Sequence, residues 1–96
     1  MPRYGKGPNP RHLWKTYGLT LEQFWTMVDS RNGECDICHT VKGNQLRVDH
    51  CHITGKIRGL LCSSCNTGIG QFGDDPKTLF LAWNYVRKFE KAYMAA

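Results

Sequence analysis

Four cysteines stand in two C-x-x-C pairs, Cys35-Asp36-Ile37-Cys38 and Cys62-Ser63-Ser64-Cys65. Each pair is a knuckle whose turn brings two sulfurs to one ion, and two knuckles complete a tetrahedral thiolate site. Zinc is the expected occupant. With all four positions filled by protein, it would staple the fold and leave no coordination position open for a substrate. Two disulfides or an iron–sulfur cluster are the alternatives that the spacing alone leaves open. Cys51 has no partner at knuckle spacing and reads as a small, partly buried filler.

A second set of residues is not needed by a zinc scaffold. Asp49, His50 and His52 lie between the knuckles, and Asn66 follows the second one directly. Asp49 and Asn66 offer hard oxygen donors of the kind that suits magnesium, an ion that takes few protein ligands and keeps waters and substrate phosphates for the rest. His50 is the natural general base near neutral pH. A Lewis-acidic metal and a base for an attacking water are what phosphodiester hydrolysis requires. His39 reads as a surface residue and His12 as a solvated one.

Local elements must hold these groups in place. Thr20-Leu21-Glu22-Gln23 fits a capping box, and Leu21, Phe24, Trp25 and Val28 recur at helical spacing until Asn32-Gly33. Residues 46–49 and 56–61 predict two short strands, with Thr54-Gly55 in the turn between them. Residues 62–69 predict a short helix stopped by Gly68 and Gly70. Asp75 caps a last helix that has Pro76 at its first position. Its stripe of Leu79, Phe80, Trp83, Val86 and Phe89 reads as a core seam. Trp14, Trp25 and Trp83 read as core or arm anchors more than as platforms for bases. Residues 1–19 carry Arg3, Lys6, Arg11 and Lys15 with no acid, among several Gly and Pro, and predict a flexible basic arm. Residues 20–96 are then a single domain.

The chain has 96 residues and a formal net charge of +5. One small domain is the most that this length allows, and its core alone is marginal, so a staple is expected. Four thiolates and one zinc lower the charge balance by two, to +3. That surface suits a phosphate backbone. No apolar run approaches the roughly 18 residues that span a bilayer, and no secretory signal is visible near Met1. A cytoplasmic, reducing location and no membrane partner are therefore expected, and they favour metal ligation over disulfides.

The order C-x-x-C, then D-H-x-H, then T-G-x-x-R-G-L-L-C-x-x-C-N resembles the phage recombination endonuclease VII family, over about residues 17–86 and including Tyr17-Gly18-Leu19-Thr20. That family belongs to the His-Me finger, or HNH, nucleases. The resemblance implies an α+β fold: a small zinc-stapled ββα-metal domain with flanking N- and C-terminal helices. It implies a phage-encoded, magnesium- or manganese-dependent DNA endonuclease acting in the host cytoplasm, with branched or nicked DNA among the substrates. Asp49 and Asn66 would hold the catalytic metal, His50 would activate the water, and His52 would touch a phosphate or stabilise charge. Arg58, with Lys56 and Arg47 of the same hairpin, would meet DNA phosphates, unless Arg58 only braces the hairpin. The products would carry 5′ phosphate and 3′ hydroxyl ends.

The family usually has an acidic residue where this chain has Cys51. Its junction-resolving member also builds an intertwined dimer through a long C-terminal helical region. This sequence ends at Ala96 after one helix, so the expectation leaves junction resolution, which needs two active sites, open beside mismatched, nicked and plain duplex substrates. The implied partners beyond DNA are a homodimer mate or a larger phage DNA-processing assembly. A non-catalytic zinc finger that only binds nucleic acid is the principal alternative, and a structural subunit of a phage packaging or recombination machine is another.

Overall fold

The computed structural model describes residues 7–90. The basic residues Arg3 and Lys6 of the expected arm lie outside them. The described elements run α1 (Pro10–Tyr17), α2 (Leu21–Ser30), β1 (Arg47–His50), β2 (Ile57–Leu61), α3 (Ser63–Gln71) and α4 (Pro76–Arg87), with a 3₁₀ turn at Gly43–Gln45. The fold is small and mixed, helices with a two-stranded antiparallel sheet. The chain forms two compact units, one ending at Asn66 and the other beginning at Thr67.

In the first unit α1 replaces part of the expected flexible arm. The Asn9 side chain accepts hydrogen bonds from the Arg11 and His12 amides, Pro10 presets the first turn, and Gly18 closes the helix at φ 69°. An isolated helix of eight residues would not persist in water. Burial of Leu13, 1% exposed, holds this one. Ahead of it, Gly7 lies so close to the Trp25 indole and Leu21 that any side chain there would collide with them.

The capping box forms as its sequence predicts: Gln23 N donates to Thr20 Oγ1 at 3.0 Å and Thr20 N to Gln23 Oε1 at 2.9 Å. It starts α2, which buries Phe24 and Val28 and unwinds through Asn32 and Gly33, both at positive φ. The core of this unit comprises Leu13, Phe24, Val28, Leu46, Val48, Leu60 and Leu61, with Cys35 and Cys62 beside them. Burying those side chains is worth roughly 1.5–3 kcal/mol each, a modest total for a unit of this size.

The hairpin has an irregular register. Arg47, Val48 and Asp49 pair with Leu61, Leu60 and Gly59, but His50 pairs with Ile57. Arg58 is thus the extra residue of a β-bulge, a feature that bends a strand and re-aims its side chains.

In the second unit α4 starts as expected, with Asp75 Oδ2 accepting from the Thr78 amide and hydroxyl. These bonds hold the Asp75 carboxyl below its ordinary pKa, the Thr78 hydroxyl contributing most. The expected core seam is not found. Phe80, Trp83, Val86 and Phe89 are all exposed, because a unit this small encloses little. Neither Gly68 nor Gly70 stops α3, which runs to Gln71 and turns at Gly73, φ 70°.

Candidate metal centre and active site

The two knuckles converge. The sulfurs of Cys35, Cys38, Cys62 and Cys65 all lie within 4.8 Å of one another. The Cys38 and Cys62 sulfurs are 3.8 Å apart, and two ligands of a tetrahedral zinc with bonds of about 2.3 Å sit about 3.8 Å from each other. Among the described residues, this is the one group of three or more Cys, His, Asp or Glu side chains that close. The amides of Ile37 and Cys65 point at the Cys35 and Cys62 sulfurs, at 3.4 Å in each case. Burial opposes ionisation at Cys35, yet amide hydrogen bonds from Cys62, Cys38 and Ile37 bring its thiol down to about 6. Burial and the three neighbouring sulfurs push Cys65 up to about 12. Four crowded sulfurs resist sharing negative charge, and a divalent cation removes that conflict. The donor set and spacing fit zinc.

Asp36, inside the first knuckle, ties this centre to the hairpin. Its amide donates to Leu60 O and its carboxylate accepts from Leu60 N, both at 3.0 Å, while Arg31 Nε donates to Oδ1 at 2.9 Å. The same carboxylate occupies the space a Cβ on Gly59 would need. Gly59 in turn pairs with Asp49.

Asp49 is 8% exposed. Arg58, re-aimed by the bulge, donates Nε to Oδ2 at 2.7 Å and Nη2 to Oδ1 at 2.9 Å. Each carboxylate oxygen keeps a second lone pair, so the pair orients Asp49 without using up its acceptor capacity. A bidentate Arg fork is the strongest orienter available for such a group. Arg58 thus pairs across the hairpin with Asp49.

His50 is half-buried, in ring contact with His52 at 4.9 Å and with Tyr17 of α1 at 5.6 Å between centroids. Asn66 lies on the first turn of α3, its amide bonded to Cys62 O at 2.9 Å. It lines a cleft of about 570 Å³ with Lys42, Arg47, Ser63, Ser64, His12 and Tyr17 among others. Asp49, His50 and His52 are not in that wall. Thus β1 carries Arg47, Asp49 and His50, and of these Arg47 shares the cleft wall with Asn66. Lys56 is exposed near the hairpin turn, and Cys51 is half-buried there, with its amide on Lys56 O.

The sequence reads His12 as solvated, gives Tyr17 only as part of the family-like stretch before the first helix, and assigns Lys42 no role. Asn9-Pro10, an N-cap followed by a proline at the first helical position, was the signal that could have placed the first two on a helix.

A folded hairpin clamped between two cysteine knuckles, with an acid and a histidine adjacent on its first strand, defines a small α+β unit whose four cysteines could hold a metal ion. Residues 10–88 match the family model of recombination endonuclease VII, and the chain belongs to that family. It is 43% identical over 76 residues to the Gene 59 protein of Mycobacterium phage D29, an alignment covering 76% of this chain and 46% of that protein. It is 45% identical over 53 residues to the Gene 59 protein of Mycobacterium phage L5, covering 53% and 32% respectively. The chain therefore spans less than half the length of these relatives. No solved structure matches it. No helix among the described residues is long and apolar enough to cross a membrane.

Proposed function

We propose that this protein is a His-Me finger endonuclease that hydrolyses DNA phosphodiester bonds with magnesium or manganese, stapled by a structural zinc. The observation that carries the reading is the family match over residues 10–88, which contains Asp49, His50 and Asn66 together with both knuckles. The order β1, β2, α3 between and after the knuckles is consistent with a ββα-metal unit.

Asp49 and Asn66 are the hard oxygen donors for the divalent ion, which when bound supplies charge stabilisation at the scissile phosphate and the leaving 3′ oxygen. His50 takes the proton of the attacking water as it adds in line. His52, in ring contact with His50, stabilises developing charge. Arg47 and Lys56, both exposed, meet phosphates in this reading, and Arg58 holds the Asp49 carboxylate in register. Binding of this kind reads the backbone and not the bases, and weakens with salt.

Nicking of supercoiled plasmid by purified zinc-loaded protein tests the reading. Nicking is expected with added magnesium or manganese and none without free divalent ions. DNA binding with no nicking under any divalent ion would establish the binding-module alternative instead. A panel of branched, nicked and linear DNA of equal length then assigns the preferred substrate.

A further inference from the structure

We propose that Tyr17 is a positioning residue for His50, its ring fixing the plane in which the imidazole meets the attacking water. The proposal rests on the reading of His50 as general base. His50 is the last residue of β1 and sits where the pairing slips, opposite Ile57 and not Arg58. The ladder holds its backbone on both sides, continuing through the Cys51 amide to Lys56 O, but a backbone ladder does not set the rotation of the ring. The second side-chain torsion of histidine is broad, so the orientation of the ring depends on what packs against it.

Two rings touch it. His52 belongs to the exposed turn between the strands, with no buried element behind it among the described residues. Tyr17 is held differently. It ends α1, a helix fixed at its start by Asn9, at its end by Gly18 and in its middle by buried Leu13. Tyr17 is half-buried, tilted 58° to the His50 ring, and braced on its other contact by the edge of His12 at 6.2 Å. Of the two neighbours, it is the one with a rigid base. A proton acceptor has to be held within roughly 10–20° of its working orientation. Tyr17 also lines the cleft that contains Asn66, so the same side chain borders both parts of the site. The contact made to His50 is by the ring, so phenylalanine should serve and an aliphatic residue should not.

The test uses the full zinc-loaded chain, with Tyr17→Phe and Tyr17→Leu. Single-turnover cleavage by Tyr17→Leu should fall by about 10- to 100-fold, the scale of a small misplacement of a reacting group. Its affinity for DNA should stay within about twofold, a split that general loosening of the fold would not give. Tyr17→Phe should cut within about twofold of the parent. The imidazole carbon-bound proton signals of His50 should move in Tyr17→Leu, which removes the neighbouring ring current, and stay near the parent's in Tyr17→Phe. Unmoved His50 signals in Tyr17→Leu, or Tyr17→Phe as slow as Tyr17→Leu, would overturn the proposal. Should Tyr17→Leu fail to hold zinc and fold, nuclear Overhauser contacts between the substituted ring and His50 in Tyr17→Phe decide, and their absence overturns it. A parent that cuts alongside a Tyr17→Leu variant that cuts equally fast sinks the role of Tyr17 alone. A parent that never cuts sinks the catalytic reading, with the spectral contact intact.

Discussion

Arg58 is the extra residue of the hairpin bulge, and its guanidinium closes on the carboxylate of Asp49 with hydrogen bonds of 2.7 and 2.9 Å. A regular register would set residue 58 opposite His50. The slip makes it face Asp49 and gives that carboxylate a fixed orientation.

Arg58→Ala should therefore destabilise the protein as well as slow it. Breaking a fully buried pair costs about 3–5 kcal/mol. The Arg58 side chain is 38% exposed, so water screens part of the loss and about 1–3 kcal/mol is expected. Arg58→Lys, which cannot form the fork, should recover only part of it. Denaturant unfolding of the zinc-loaded variants measures both. Parent stability in Arg58→Ala would mean that the pair does not brace the hairpin.

Gly59→Ala should be poorly tolerated. The added methyl would meet the Asp36 carboxylate, which three hydrogen bonds to that residue's side chain and backbone hold near Leu60 and Arg31. Overpacking of this kind costs about 1–3 kcal/mol. Combining it with Asp36→Ala should cost less than the sum of the two single changes, since the clash is removed. Strict additivity in a double-mutant cycle would show that the two residues do not meet.

Much of this arrangement was legible in the sequence, and the limits are physical. The Thr20–Gln23 box, the Asp75-Pro76 start and the two knuckles are local patterns, and each sits where its own residues dictate. α1 was missed because its Gly and Pro neighbours suggested a loose arm, while what holds it is a tertiary burial of Leu13. The α4 stripe has true helical spacing, but spacing cannot say whether another surface covers it. The Asp49–Arg58 fork depends on a one-residue slip in pairing, and the Tyr17–His50 contact joins residues far apart in the chain. Neither leaves a periodic trace.

Zinc should be indispensable to the first unit. Cys35→Ser removes one thiolate from the cluster and leaves a core too small to compensate. Loss of stoichiometric zinc together with loss of a cooperative unfolding transition is expected, by metal analysis and circular dichroism. A Cys35→Ser protein with one tightly held zinc and parent stability would contradict the four-thiolate centre.

The described part of the basic segment should contribute affinity and no chemistry. Arg11 and Lys15 are both exposed on α1. Replacing both by alanine should reduce the slope of log affinity against log salt by at most about 2. The cleavage rate at saturating protein should not change. An unaltered salt slope would show that these side chains are merely solvated.

The most direct test of the proposed chemistry is the single-turnover cleavage rate of His50→Ala, measured with magnesium at saturating protein. Losing a general base should lower that rate by about 10²–10⁴, while zinc content and DNA affinity stay at the parent's values. A folded, zinc-loaded His50→Ala protein that cuts as fast as the parent would contradict the assignment of His50 as the base.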